Sequence, residues 1–198
     1  MESNFLDEKY WDERYSNHSA AWDIGSVSTP IKEYIDQLND KSISILIPGC
    51  GNAYEAEYLI KQGFTNITVI DISPVLVAAI KQKFQNSSST KLQVICGDFF
   101  KLAQQFDLIL EQTFFCALDP GLRTDYAEKM HELLKPGGKL AGLLFNISFE
   151  KGPPFGGNKQ EYKKLFSDKF QIRQMENCYN SIGPRKGNEI FIILEVSK

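Results

Sequence analysis

The chain predicts an α/β fold. The expected architecture is a mostly parallel, seven-stranded sheet, finished by an antiparallel C-terminal strand and covered by helices on both faces. Three observations carry this. Short apolar, strand-like runs alternate with helix-spaced segments through the first three quarters of the chain. A glycine turn, Pro48-Gly49-Cys50-Gly51, joins the first core strand to a helix. The last two strand-like runs follow one another with no helix between them, so they must pair antiparallel or lie apart.

From the N-terminus, residues 5–15 (FLDEKYWDERY) read as a helix with Trp11 and Tyr15 on one face, ahead of Trp22-Asp23-Ile24-Gly25. Two readings are open for residues 1–28. They are an aromatic segment packed on the domain, or a lid whose rings enclose a cationic ligand. Pro30 starts an amphipathic helix through Ile31, Tyr34, Ile35 and Leu38. Ile43, Ile45, Leu46 and Ile47 suit a strand buried on both faces. Residues 53–62 have helical spacing (Ala53, Ala56, Leu59, Ile60), with Gly63 as C-cap, and 67–70 form a strand closing on Asp71. Ser73-Pro74 starts a helix to about Phe84, and 86–90 are a polar loop. Residues 92–96 are a third strand, ending at Gly97-Asp98-Phe99-Phe100. Residues 107–110 are a fourth, ending at Glu111-Gln112-Thr113-Phe114. A helix over 123–134 is stopped by Lys135-Pro136-Gly137-Gly138, before a fifth strand over 139–145. The Gly152-Pro153-Pro154-Phe155-Gly156-Gly157 loop leads to a helix at 159–166 and strands at 170–175 and 189–196.

At 198 residues, a single domain over 1–198 is expected. A net charge of -3 offers no basic excess for nucleic acid. No apolar run approaches the ~18 residues of a membrane helix, and the acidic, aromatic N-terminus is unlike a signal peptide. Four scattered cysteines and two histidines argue against a metal site and for free thiols in a reducing cytoplasm. A cytoplasmic monomer acting on a small molecule, away from membranes, is the expectation.

Ligands in such sheets bind beyond the carboxyl ends of the strands, where Gly49, Asp71, Asp98 and Glu111 all fall. The two glycines permit a tight turn with bare backbone against a ligand. Asp71, about 20 residues beyond Gly49, is placed to accept hydrogen bonds from ribose hydroxyls. Asp98 suits the amino group of an adenine and Phe99 the side of its ring. Glu111 ends a buried strand and needs a partner, ligand or protein. Cys50 and Cys116 read as packing, since no histidine stands nearby in sequence to activate them. An NAD-dependent oxidoreductase shares this layout, but its third fingerprint glycine is replaced by Tyr54. A catalytically inactive cofactor-binding regulator would keep the fold and lose the substrate cover.

A set of motifs occurs in order: W-x-x-x-Y at 11–15, W-D-I-G at 22–25, L-I-P-G-C-G at 46–51, D-I-S at 71–73 and G-D-F-F at 97–100. Q-T-F-F-C-A-L-D-P at 112–120, L-L-K-P-G-G at 133–138, G-P-P-F at 152–155 and G-P-R-K-G at 183–187 complete it. From about Tyr10 to Glu195 the chain resembles the thiopurine S-methyltransferase superfamily, closest to its thiol and halide methyltransferase branch. The resemblance implies a Rossmann-like class I methyltransferase fold and S-adenosylmethionine as cofactor, leaving as S-adenosylhomocysteine. It implies cofactor contacts at Trp11, Tyr15, Trp22, Gly49, Asp71, Asp98, Phe99 and Gln112. Cys50, Gly51, Ile72 and Glu111 are expected beside them. In that branch tryptophan commonly stands where Tyr15 is, and tyrosine where Gln112 is.

The resemblance also places Arg123 on the substrate side as the catalytic cation, and Pro153, Pro154 and Phe155 in a covering loop. Phe114 and Arg185 are expected to join them. The implied reaction is methyl transfer to a small soft nucleophile: a thiol, thiocyanate, a halide or a thiopurine-like sulfur. Such an in-line displacement needs alignment more than a base. A thiol of pKa near ~8.5 is only partly ionised at neutral pH, and a nearby arginine favours the thiolate.

Overall fold

The computed structural model describes residues 6–17, 19, 22–85 and 91–197. The expected helix start at Phe5 and the polar loop at 86–90 lie outside these residues. Seven strands form one sheet: β1 (Ile45–Pro48), β2 (Asn66–Asp71), β3 (Lys91–Cys96), β4 (Phe106–Gln112), β5 (Leu134–Phe145), β6 (Gln171–Asn177) and β7 (Glu189–Glu195). Their order is β3-β2-β1-β4-β5-β7-β6. The first five run parallel, while β7 is antiparallel to both β5 and β6 and lies between them. Of the two arrangements their missing crossover allows, the two consecutive terminal strands adopt antiparallel pairing.

Side-chain alternation along the central strands divides the core. Ile45, Ile47, Leu108 and Leu110 join one apolar cluster, with Ile31, Ile35, Ala56, Leu59 and Leu76 from the helices covering that face. Leu46, Ile109, Leu140 and Leu144 join the other, under Tyr126, Met130 and Phe166. The covering helices are α1 (Glu8–Ser16), α2 (Thr29–Asp36), α3 (Tyr54–Lys61), α4 (Pro74–Lys83), α5 (Arg123–Glu132) and α6 (Lys159–Phe166). Asp7, Ser73 and Asn158 cap α1, α4 and α6, accepting from the N–H of Tyr10, Leu76 and Glu161. Among the described residues no helix is long and apolar enough to cross a membrane.

Three boundaries differ from the sequence reading. Ala53 is left-handed (φ 55°) and ends the glycine turn, so α3 starts at Tyr54. β4 runs through Glu111 and Gln112, which are therefore strand residues. Lys135-Pro136-Gly137-Gly138 is a bulge inside β5: Phe106 pairs with Leu134 and Leu108 with Lys139, while Gly137 turns at φ 77°. Pairing with β4 on both sides of the Pro-Gly-Gly keeps the segment in the sheet.

Candidate functional site

The carboxyl ends of the parallel strands open into a cavity of about 760 Å³. Its floor is the turn after β1. Gly49 and Gly51 have φ of 54° and 51°, a region L side chains avoid. At Gly49 a Cβ would also lie 2.3 Å from the Phe114 ring. Asp71, at the end of β2, is 7% exposed. It accepts from the Ser73 N–H (3.1 Å) and more distantly from the Gly51 N–H (3.3 Å). Burial pushes its carboxyl up to about 6, against the pull of these N–H donors. Asp98 accepts from the Phe100 N–H at 2.9 Å, and the Phe99 ring stands edge-on to Phe114, 5.1 Å between centroids.

The N-terminal residues roof the cavity. Trp11 and Trp22 meet edge-on with centroids 5.6 Å apart, and Tyr15 meets Trp22 at 6.1 Å. Four polar ties hold this roof. Asp12 accepts from the Ser73 hydroxyl and from the Val75 N–H (3.3 Å) at the start of α4. Asp23 accepts from the Asn52 amide and the Tyr54 hydroxyl (3.3 Å). The Trp22 carbonyl accepts from Arg185 at 2.9 Å, and Ser28 donates to Gln112 at 2.8 Å. Tyr54, standing in place of a third fingerprint glycine, therefore anchors the roof.

Beyond β4 the wall turns apolar, with Phe114, Leu118, Leu122, Phe145, Phe149, Pro153 and Pro154. Thr113 has φ 60°, unusual for a β-branched residue, and donates its hydroxyl to the Gln112 carbonyl at 2.7 Å. Arg185, 8% exposed, reaches the cavity from the loop before β7. Its guanidinium lies 5.7 Å from the centroid of the Phe145 ring. Nη1 is 3.5 Å from Glu189 but has no hydrogen-bond partner among the described residues. Burial pushes the Cys50 and Cys116 thiols well up, so both rest as neutral S–H.

Of the residues singled out in the sequence, Trp11, Tyr15, Trp22, Gly49, Cys50, Gly51, Asp71, Ile72, Asp98, Phe99, Gln112, Phe114, Pro153, Pro154 and Arg185 line this one cavity. Three do not. Glu111 is fully buried behind it, accepting from the Phe114 N–H (2.8 Å), the Phe115 N–H (3.0 Å) and the Tyr126 hydroxyl (2.6 Å). Its partner is protein. The Phe155 ring packs onto Gly152, and its N–H donates to the Cys116 carbonyl at 2.7 Å. Arg123 points away, bonding Glu161 and the Gly156 carbonyl (2.6 Å) and lying over the Phe115 ring at 5.0 Å. It fastens α6 and the proline loop rather than offering a cation to the cavity.

Arg123→Ala is accordingly expected to destabilise the fold by roughly 1–3 kcal/mol, through loss of the charged hydrogen bond to the half-buried Gly156 carbonyl and of the tie to α6. A thiol pH–rate profile should not move in that variant. A shift to higher pH would return Arg123 to the reacting sulfur.

Several cavity residues went unassigned in the sequence: Asp23 in the roof, Asn52 and Glu55 at the floor, and Leu118, Leu122 and Phe149 on the apolar wall. Asp23 sits within the W-D-I-G motif, which was the available signal. Among the described residues no histidine lines the cavity, and no group of three His, Cys, Asp or Glu could hold a metal.

The residues present fit S-adenosylmethionine. Gly49 and Gly51 put side-chain-free backbone on the cavity lining, and Asp71 holds a buried carboxylate whose charge burial disfavours and the donors of a ribose diol would favour. A family model described as thiopurine S-methyltransferase matches residues 6–194. Probable thiol methyltransferase 2 of Arabidopsis thaliana is 33% identical over 184 residues, 90% of this chain and 81% of that protein. Thiocyanate methyltransferase 1 of the same plant is 27% identical, covering 93% of this chain and 83% of its own length. Among solved structures, a Burkholderia thailandensis 1,6-didemethyltoxoflavin-N1-methyltransferase with bound S-adenosylhomocysteine superposes with a TM-score of 0.76. It covers 96% of this chain and 87% of that one at 15% identity, a likeness of fold. With the cavity at the carboxyl ends of a β3-β2-β1-β4-β5-β7-β6 sheet, these matches place the chain: it belongs to the thiopurine S-methyltransferase family and is an S-adenosylmethionine-dependent S-methyltransferase.

Proposed function

We propose that the methyl acceptor is a small thiol with an apolar or aromatic body, reacting as its thiolate beside Arg185. The observation that carries this is the wall after β4, which sets seven apolar side chains in the same cavity as one buried guanidinium, that of Arg185 beside Phe145. S-adenosylmethionine, when bound, supplies a methyl group activated by its positive sulfur. The protein supplies position, dryness and charge. Trp11, Tyr15 and Trp22 present aromatic faces and edges over the floor, suited to a cation and to excluding water. Asp71 and Asp98 suit the ribose and the adenine amino group, with Gly49, Gly51, Ile72 and Gln112 around them. Phe114, Pro153 and Pro154 enclose the acceptor.

Arg185 favours the anionic sulfur by its charge, and no proton acceptor is needed once the thiolate forms. The neutral Cys50 and Cys116 do not compete as nucleophiles. The four free cysteines also suit a reducing compartment such as the cytoplasm.

A second reading, thiocyanate or halide as acceptor, is favoured by the likeness to the thiocyanate enzyme. Turnover of thiophenol, 2-mercaptoethanol, thiocyanate and iodide separates the two. The thiol reading expects thiophenol to have the highest kcat/KM, and a preference for either inorganic anion would overturn it. Arg185→Lys should move the thiophenol pH–rate profile less than Arg185→Gln, which should move it to higher pH. Superimposable profiles in all three proteins would take Arg185 away from the sulfur.

A further inference from the structure

Glu55 is the second residue of α3, directly behind the glycine turn. It is 6% exposed and lines the cavity. Its carboxyl accepts from its own backbone N–H, and among the described residues no other side chain or N–H donates to it. Ion pairs elsewhere account for its neighbours. Glu57 on the same helix takes Lys61 and Lys83, and Arg185 is turned to Glu189 and the Trp22 carbonyl. The charges acting on Glu55 are Asp23 from the roof, which disfavours its anion, and Arg185 and Lys83, which favour it. Burial outweighs them and pushes the carboxyl up to about 7. An acid in the first turn of a helix also complements the helix dipole, a role that does not call for a place in a ligand cavity. A carboxyl walled into a ligand cavity with lone pairs unused is instead suited to a donor that arrives with the ligand.

S-adenosylmethionine carries one such cationic donor apart from its sulfonium, the α-ammonium of its methionyl part. We propose that Glu55 is a cofactor-binding residue whose carboxylate receives that ammonium. The proposal rests on the cofactor assignment above. It makes Glu55 the discriminator between ligands with an intact amino-acid head and those without. It gives the chain an acid at the floor distinct from Asp71, one for each end of the cofactor.

The test is calorimetric and needs no turnover. S-adenosylhomocysteine and 5′-methylthioadenosine, which lacks the amino-acid head, are titrated into wild type and Glu55→Gln. Glu55→Gln should weaken S-adenosylhomocysteine about 10- to 100-fold, the range for a hydrogen bond to a charged group, and leave methylthioadenosine unchanged. Titrations near pH 6.5 in buffers of different ionisation enthalpy add a second readout. Wild type should release protons on binding S-adenosylhomocysteine, and Glu55→Gln should release fewer. Equal weakening of both ligands would reduce Glu55 to a support of the glycine turn. No weakening of either would remove it from the site. Failure of wild type to bind S-adenosylhomocysteine at all would overturn the cofactor assignment itself, an outcome separate from these.

Discussion

Replacing Asp71 by alanine is expected to weaken S-adenosylmethionine binding by roughly 1.5–3 kcal/mol, a rise of about 10- to 150-fold in Kd. The carboxylate is buried, and the backbone N–H groups of Ser73, Gly51 and Ile72 that favour its charge do not offset that burial. Ribose hydroxyls bring further donors to it. Asp71→Asn keeps an oxygen for the Ser73 N–H and loses the charge, so its loss should be smaller. The pH dependence adds a second check. Asp71 sits up at about 6 in the free protein, and a ligand that donates to it favours the ionised form. Binding therefore takes up the deprotonated acid, and affinity should fall as pH drops through 6 toward 5. That part of the dependence should vanish in Asp71→Ala. An unchanged Kd in both variants would take Asp71 out of the site.

The largest loss of stability is expected from Glu111→Ala. One fully buried side chain satisfies the Phe114 and Phe115 N–H groups and the Tyr126 hydroxyl, so its removal orphans three donors at once. The expected cost is about 3–5 kcal/mol, or a Tm lower by roughly 6–20 °C for a chain of this size. Since those donors shape the turn beneath Phe114, acceptor turnover should fall as well. Glu111→Gln retains an acceptor and should fall between the two.

The sign of the pH effect is fixed by the direction of the shift. Glu111 is raised from its ordinary 4.5 to about 7 by burial. Between these values the folded protein holds a proton that the unfolded chain has released. Its contribution is therefore fully present below about 4.5 and is lost as pH rises through 7. Glu55 is raised similarly and acts in the same sense. Unfolding by urea across pH 5 to 8 should show stability declining through this window in wild type and declining less in Glu111→Gln. Parallel curves in the two proteins would mean that Glu111 does not titrate there.

The alternation of strand-like and helix-like runs, the glycine turn and the acids at strand ends are all local patterns, and they were legible without a structure. They determined a parallel sheet, because helices after β1, β2 and β4 are long enough to carry the chain back across it. They excluded a parallel pairing of the last two strands, which have no such helix between them, and left antiparallel pairing or separation. The placement of Asp71 next to the glycine turn follows from adjacency: β1 and β2 pair in parallel, with Pro48 beside Ile70, so the ends of both strands open onto one crevice.

What the sequence did not decide was which way a side chain at the right place would face. Glu111 and Arg123 both lie within a few residues of the cavity along the chain, yet both turn away from it. Each is claimed by groups remote in sequence: Tyr126, 15 residues on, and Glu161, 38 residues on. Arg185 reaches the cavity because Trp22, 163 residues away, offers it a carbonyl. Glu55 lies on an ordinary first helical turn, and it became a cavity residue only in the folded arrangement of roof and floor. Periodicity sets which residues share a face, and is written in neighbours three or four positions apart. The orientation of a buried charge is set by whichever distant partner can best offset its desolvation, a donor for Glu111 and an acceptor for each arginine, and those partners meet only when the sheet and its covers have assembled.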